Sequence, residues 1–245
     1  MTKRLHWPPS AWLLVFLVLP TALLPARGLS PAGARLLSEG STWMLLGRSF
    51  AVAAVSTLLC LLAAYPVAWF IANSSPRWRN VLLLLVVLPF WSNLLVRTYA
   101  LMVVLRPLGL LYTPGAVILG LVHSFLPFMV LPLYASIEKL PKRLLEAAQD
   151  LGASPAQVFW KVALPLTLPG VGAGCLLVFI PILGIFALPE FLGGARLPLV
   201  GGQISVLFKQ DAGSPGGSAL TLILMALTLV LTGAYYRLRK TEGLA

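Results

Sequence analysis

Long apolar runs separated by short polar segments dominate the chain. Six of the runs approach or reach the roughly 20 residues that an α-helix needs to cross a hydrocarbon core about 30 Å thick. They extend over Trp12 to Pro25, Ser49 to Ile71, Val81 to just past Leu101, Gly115 to Ile137, Val162 to Leu188 and Ala219 to Tyr236. The third run is interrupted by Pro89-Phe90-Trp91-Ser92-Asn93. The pattern predicts an all-α membrane protein with six transmembrane helices.

The composition makes a soluble enzyme or binding domain an unlikely class. Of the 245 residues, 59% are hydrophobic and only 10% are charged, whereas soluble domains average about 25% charged residues. Six helices of about 20 residues occupy about half of the chain and leave no room for a separate soluble domain. We expect one transmembrane domain over residues 41–240. Residues 1–40 would hold a cytoplasmic tail, the first helix and the start of an outer loop, and residues 241–245 a short cytoplasmic tail.

The formal net charge of +11 would suggest nucleic-acid binding in a soluble domain, but here the basic residues follow a membrane topology. Lysine and arginine are enriched in cytoplasmic loops of membrane proteins. One side of the predicted membrane holds Lys3, Arg4, Arg77, Arg79, Lys139, Lys142, Arg143, Lys161, Arg237, Arg239 and Lys240, and the other holds Arg27, Arg35, Arg48, Arg97, Arg106, Arg196 and Lys209. This bias predicts that both termini are cytoplasmic, and we expect no nucleic-acid partner.

The first apolar run has two interpretations. Met-Thr-Lys-Arg followed by apolar residues resembles a secretory signal. Arg27 after the run, and five further spans, favour a retained first helix instead.

The sequence lacks the common motifs for phosphate and zinc chemistry. It contains no G-x-x-x-x-G-K-[ST] loop, no H-E-x-x-H and no paired-cysteine motif. His123 lies within a span beside Ser124, and adjacent residues of a helix do not face each other. We therefore expect no catalytic residue and no metal site. Gly170 and Gly174 have the spacing of small residues that allow close helix contact.

The longest polar segment on the predicted cytoplasmic side, Glu138 to Lys161, fits two short helices. Apolar residues at near-helical spacing give the first helix, from about Lys142 to Leu151, one apolar face. Gly152 is placed to end this helix in a left-handed conformation. Ser154 and Gln157 form a capping-box pattern at the start of the second helix. Such an ordered hairpin could lie on lipid headgroups, or it could dock into a groove of a soluble partner.

The same segment contains the pattern Glu146-Ala147-Ala148-x3-Gly152-x9-Val162-x-Leu164-Pro165. It resembles the EAA loop of ABC-importer permease subunits, commonly E-A-A-x3-G-x9-I-x-L-P, with Val162 in place of isoleucine. Further short motifs, spread over most of the chain, resemble those of the permeases of spermidine/putrescine-type importers, which have the type I fold. These matches are Tyr65-Pro66-Val67-Ala68, Leu88-Pro89-Phe90-Trp91, Val96-Arg97-Thr98-Tyr99, Phe125-Leu126-Pro127-Phe128-Met129 and Pro189-Glu190-Phe191-Leu192-Gly193-Gly194.

The resemblance implies a transport subunit rather than an enzyme, whose EAA loop, about residues 139–165, fits a groove on a separate ATPase. The implied coupling residues are Glu146, Ala147, Ala148, Asp150, Gly152 and Ser154. The implied partners are an ATP-binding cassette ATPase dimer, a second permease subunit and an extracytoplasmic solute-binding protein, with membrane lipid around them. No cofactor is expected on this chain, because ATP would bind to the ATPase. The implied location is the bacterial cytoplasmic (inner) membrane.

Polar side chains inside the spans are candidates for the solute pathway, because polar groups are costly to bury in a bilayer. The candidates are Trp91, Asn93, Arg97, Tyr99, His123 and Glu190. Arg97 could instead extend to the outer interface of the membrane, where Trp91 and Tyr99 could also lie. Glu190 could attract a cation or only cap the local loop.

The resemblance implies a polyamine as the first expectation for the solute, with another small solute as the alternative. Polyamine-type relatives often have an acidic residue after a glycine, a few residues before the Pro-Glu pair. Here that place reads Gly184-Ile185-Phe186, and the spans offer few other carboxylates for a dication. The competing classes are a membrane anchor without transport and a membrane enzyme. The polar residues of spans 3 to 5 favour a pathway over an anchor, and the spans lack the charged or nucleophilic constellation that a membrane enzyme would need.

Overall fold

The computed structural model describes residues 15, 18–194 and 197–242, and every regular element within these ranges is helical. The helices are α1 Leu19–Gly28, α2 Pro31–Ser38, α3 Gly40–Asn73, α4 Pro76–Val87, α5 Leu94–Leu105, α6 Pro114–Glu138, α7 Lys142–Asp150, α8 Pro155–Val158, α9 Leu164–Gly184, α10 Ala187–Gly193, α11 Val200–Gln210 and α12 Pro215–Glu242. A 3₁₀ turn, Leu88–Trp91, follows α4, and a π-helical turn, Phe159–Ala163, joins α8 to α9.

The described residues contain four helices, or continuous helical stretches, that are long and apolar enough to cross a membrane. These are α3, α6, the stretch from α8 through α9, and α12, and the bent pair of α4 and α5 would make a fifth. The prediction of an all-α membrane fold is therefore confirmed. The first predicted span, Trp12 to Pro25, lies partly outside the described residues. Lys3, Arg4 and Arg196 lie entirely outside them. The count of six spans therefore stays a prediction.

The third predicted span breaks where the sequence placed its interruption, but its two halves do not continue in one direction. Helices α4 and α5 meet at an angle that bends the chain by 94°. Ser92 and Asn93 adopt extended backbone conformations. The Oδ1 atom of Asn93 then accepts the N–H of Leu95 at 2.8 Å and starts α5. The span is thus a broken one with a side-chain cap at its corner.

The prediction of one continuous helix from Val162 to Leu188 is wrong at its C-terminal end. Helix α9 ends at Gly184, Ile185 is extended, and a separate helix, α10, begins at Ala187. Pro189 explains the position of this break. It has no N–H to donate to the carbonyl of Ile185, and its ring would clash with that carbonyl in a continuous helix.

The core lies where α6 packs between α3 and α9. Small residues of α9 allow a close approach to α6, as the spacing of Gly170 and Gly174 predicts. A Cβ atom added to Gly174 would lie 2.6 Å from the Sδ atom of Met129 on α6, and one added to Gly170 would lie 2.8 Å from the carbonyl oxygen of Pro132. Gly172 faces the other way, towards the ring of Tyr235 on α12. The two faces of this glycine stretch therefore contact different helices.

The close contact of α9 with α6 makes Gly170→Ala a destabilising substitution. Alanine usually favours a helix over glycine by about 1 kcal/mol. The added methyl group would collide with both Ser136 and the carbonyl oxygen of Pro132, so the cost of overpacking lies near the upper end of its usual range, at about 3 kcal/mol, and the net change is destabilising. We expect the midpoint of thermal unfolding to fall by roughly 2–6 °C, measured on the purified complex in detergent. Gly233→Ala is the control, because nothing lies within 4 Å of an added Cβ there. An unchanged midpoint for Gly170→Ala would contradict the close packing.

Candidate functional site

Residues 142–163, which we call the projecting segment, lie at one end of the bundle, and their first helix, α7, ends in a tight turn. The N–H of Ala153 donates to the carbonyl of Ala148 at 3.0 Å, and the N–H of Gly152 donates to that of Gln149 at 2.8 Å. Gly152 has φ +84°. This pair of bonds with a left-handed glycine is the Schellman motif, so the predicted end of the first short helix is confirmed.

The second short helix begins with the capping box that the sequence predicted. The N–H of Gln157 donates to the Oγ atom of Ser154 at 3.3 Å, and the N–H of Ser154 donates to the Oε1 atom of Gln157 at 2.8 Å. Pro155 occupies the first helical position, where a missing N–H has no cost. Both sides of the Gly152 turn are therefore fixed by local hydrogen bonds, and the angle between the two helices is set by the backbone.

Helix α7 leaves much of its surface uncovered. Leu144 is 48% exposed and Leu151 is 89% exposed. The carboxylates of Glu146 and Asp150 are also exposed, and neither takes part in an ion pair with another described residue. An ordered helix with free carboxylates and uncovered leucines offers a surface on which a protein partner can dock.

The second half of the segment is anchored to the bundle through Tyr65 of α3. Its hydroxyl lies 2.8 Å from the Oγ1 atom of Thr167 on α9. That atom itself donates to the carbonyl of Ala163 at 2.9 Å. The ring of Tyr65 packs edge to face against Phe159 of the π-helical turn, with 5.3 Å between ring centroids. The C-terminal part of the segment is thereby held against α3 and α9.

Sequence reasoning missed this anchor. Tyr65 was included only in a motif match, and Thr167 and Phe159 were given no function. A pair separated by 102 positions leaves no periodic signal. The one available hint was a tyrosine inside an apolar run, because a buried tyrosine hydroxyl usually has a hydrogen-bond partner.

The structure does not gather the predicted pathway residues into one site. His123 lines a groove of about 540 Å³ with Pro66 and Phe70, Tyr99 lines a second cavity with Arg106 and Tyr112, and Glu190 lines a third. Trp91 is 78% exposed, and Asn93 caps α5.

Arg97 lies at the corner between α4 and α5. Its guanidinium carbon is 5.9 Å from the centre of the Phe90 ring. Its Nε and Nη1 atoms are buried and have no hydrogen-bond partner among the described residues. The guanidinium thus packs on an aromatic face rather than in an ion pair.

The cavity beside Glu190 combines a carboxylate with an aromatic wall. It measures about 330 Å³, and Phe186 and Gln203 line it as well. The Nζ atom of Lys209 lies 6.0 Å from the centre of the Phe186 ring, so a cation of the chain itself lies near this cavity and opposes the entry of a second one. A carboxylate, an amide and an aromatic ring converge at this cavity.

Comparison with known proteins agrees with the described geometry. Residues 64–241 match the family described as "Binding-protein-dependent transport system inner membrane component". The spermidine/putrescine transport system permease protein PotB of Haemophilus influenzae is 45% identical over 209 residues, covering 78% of this chain and 73% of the relative. PotB of Escherichia coli is 42% identical over 210 residues, covering 79% and 76%.

Two solved structures share the fold at low sequence identity. One is a bacterial alginate ABC transporter in complex with an alginate pentasaccharide-bound periplasmic protein, with a TM-score of 0.75, 18% identity and coverage of 93% of this chain and 90% of that chain. The other is the MetNI methionine ABC transporter in an inward facing conformation, with a TM-score of 0.63, 20% identity and coverage of 83% and 98%. The helices of this chain are thus arranged as in subunits of ABC importers.

Proposed function

The chain belongs to the family of binding-protein-dependent transport system inner membrane components, and from this premise we propose how it works. It is a multi-pass inner-membrane permease subunit of an ABC importer, and the resemblance inferred from its sequence is confirmed. Its family transports solutes and is not a class of enzymes. We propose that ATP binds and is hydrolysed on a partner ATPase, with no cofactor on this chain.

The projecting segment is the element through which that ATPase acts. Its support is the combination of local rigidity and exposure, since α7, the Gly152 turn and the Ser154 cap are fixed while Leu144 and Leu151 are uncovered. Ala147 and Ala148 are small enough to let α7 lie deep in a groove. Glu146 and Asp150 are free to pair with basic groups of the ATPase.

The remaining partners follow from this assignment. The family name itself refers to a binding protein, and a solute-binding protein would deliver solute on the outer side. A second permease would supply the other half of the pathway, and an ATPase dimer would bind on the side of α7. That side is cytoplasmic, and both termini lie there, in accordance with the distribution of basic residues.

The solute is a polyamine. Two relatives that are 45% and 42% identical are named for spermidine and putrescine transport. Glu190 and Phe186 line one cavity, which therefore offers a carboxylate and a ring face. A carboxylate and a ring face are the groups that attract a protonated amine. Another small solute is the alternative, because the acidic residue common in polyamine-type relatives is missing near Phe186.

Glu190→Gln is expected to weaken uptake of spermidine about tenfold at low concentration. The substitution keeps the size of the side chain but removes its charge, and a hydrogen bond to a charged group contributes about 1.5–3 kcal/mol. Uptake of radiolabelled spermidine into proteoliposomes containing the complete complex measures the effect. Glu39→Gln is the control, because Glu39 is exposed at the start of α3 and lies outside the cavity. Unchanged uptake would remove Glu190 from the pathway.

The same proteoliposomes test the function as a whole. We expect ATP inside and loaded binding protein outside to drive accumulation of spermidine. A complex that binds the ATPase but accumulates no solute would support the alternative of a docking anchor without transport. Accumulation of a different solute would retain the permease function and overturn the polyamine assignment.

A further inference from the structure

A second anchor lies at the other end of the projecting segment, at Arg79. This arginine is in the first turn of α4. Its Nη1 atom donates to the Oε1 atom of Glu138 at 2.7 Å, and its Nη2 atom donates to the carbonyl oxygen of Ala72 at 3.1 Å. One guanidinium therefore joins the start of α4 to the C-terminal ends of α3 and α6.

One contact of Arg79 satisfies a carbonyl group that a helix end leaves open, and the other is an ion pair with a side-chain carboxylate. Ala72 is in the last turn of α3, where carbonyl groups have no partner within the helix. A cation is favourable at a helix C-terminus because of the helix dipole, and Arg79 lies at two such ends. The side chains of Arg79 and Glu138 are 26% and 42% exposed, so the pair is partly shielded from solvent. The planar guanidinium reaches both acceptors at once, which a lysine ammonium does less well.

The position of Glu138 connects this contact to the projecting segment. Glu138 is the last residue of α6, and only three residues separate it from Lys142, where α7 begins. Tyr65 holds the other end of the segment through Phe159 and Thr167. Ala72 and Tyr65 both belong to α3, so both ends of the segment are fixed to one helix.

We infer that Arg79 is a positioning residue that sets how completely movement of the ATPase is converted into solute movement. The inference rests on the proposed coupling role of residues 142–163. With Arg79 in place, a displacement of α7 pulls the ends of α6 and α3 together as one body. Without it, α6 can shift while α3 stays, and ATP is hydrolysed with less solute transported.

The test is the amount of solute imported per ATP hydrolysed by the complete reconstituted complex. We expect Arg79→Ala and Glu138→Gln each to lower this ratio about fivefold, with the complex still assembled by size-exclusion chromatography. Arg79→Ala removes the ion pair and the bond to Ala72, whereas Glu138→Gln removes the ion pair alone. The double variant should therefore be no worse than Arg79→Ala. The exchange Arg79→Glu with Glu138→Arg should restore part of the ratio. Arg77→Ala is the control, since Arg77 is exposed on the same helix and should leave the ratio unchanged.

Several outcomes would overturn the inference. These are an unchanged ratio for Arg79→Ala and Glu138→Gln, an equal loss for Arg77→Ala, or losses that multiply in the double variant. If the complex with Arg79→Ala fails to assemble, the solute imported per ATP hydrolysed by the Glu138→Gln complex tests the inference instead. This substitution preserves the size of the side chain. Gly152→Pro distinguishes a failure of the proposed role of Arg79 from a failure of the proposed coupling role of residues 142–163. If it abolishes import while the Arg79 variants do not alter the ratio, only the role of Arg79 is wrong, whereas normal import by Gly152→Pro would refute the coupling role itself.

Discussion

Gly152→Pro is expected to abolish ATP-driven uptake while the protein still inserts and assembles. Gly152 has φ +84°, whereas proline fixes φ near −65°. The substitution also removes the N–H that donates to Gln149 at 2.8 Å. Helix α7 would then meet α8 at a different angle, and Glu146 would no longer lie where the ATPase can contact it. We expect solute-stimulated ATP hydrolysis and uptake to fall roughly 100-fold.

Gly109→Pro is the matched control for this substitution. Gly109 has φ +66°, open space around an added Cβ and an N–H that donates to the carbonyl of Arg106 at 3.1 Å. It lies in the loop between α5 and α6, remote in sequence from α7. The backbone change is thus similar, but uptake should largely persist. Normal uptake by Gly152→Pro, or an equal loss in both variants, would contradict a specific coupling role for Gly152.

Tyr65→Ala is expected to lower solute import per ATP hydrolysed by at least about tenfold. The substitution removes the hydroxyl that bonds to Thr167 and the ring that packs on Phe159. It also opens a cavity, and loss of a large buried aromatic side chain typically costs about 3–5 kcal/mol. The projecting segment would then move without displacing α3. Tyr65→Phe, which keeps the ring contact, should give an intermediate ratio.

Phe50→Ala separates coupling from stability. Phe50 and Phe179 form an aromatic pair with centroids 5.1 Å apart, and they join the same two helices, α3 and α9, farther from α7. Phe50→Ala should lower the midpoint of thermal unfolding yet leave import per ATP unchanged in assembled complexes. A similar loss of coupling in Phe50→Ala and Tyr65→Ala would mean that general stability, and not the contact with Phe159, controls the ratio.

The projecting segment could be predicted from the sequence in detail because local rules determine it. A left-handed glycine after a helix and a serine three residues before a glutamine act through backbone groups close in sequence. Gly152 and Ser154 therefore have the conformations that their spacing predicts. Asn93 also acts locally, since its side chain caps α5, but from sequence it was a candidate pathway residue and not a cap.

The anchors of the segment could not be predicted, because they depend on how distant helices pack. Arg79 and Glu138 are 59 positions apart, and Tyr65 and Thr167 are 102 apart. From sequence, Arg79 was simply one of the basic residues that indicate topology. The end of α9 was missed for a different reason, since the effect of Pro189 lies four residues earlier, at the carbonyl of Ile185.

The candidate pathway residues could be selected from the sequence, but their arrangement in space could not be predicted from it. Polarity within an apolar run selects residues that need an explanation, but it does not say which of them share a cavity. His123 and Glu190 line separate cavities. Tyr99 contacts Phe191, the neighbour of Glu190, with ring centroids 5.1 Å apart. Only the helix arrangement could establish this proximity.

The most direct test of the account is a site-specific cross-link from α7 to the ATPase. Ala147→Cys, in a chain whose native Cys60 and Cys175 are replaced by alanine, would be labelled with a benzophenone maleimide in the assembled complex and activated by light. The products would be identified by mass spectrometry. We expect a covalent adduct with the ATPase subunit, whereas the same label at Gly109→Cys should give none. A complex that imports solute normally while its Ala147 label reacts only with lipid or with other subunits would contradict it.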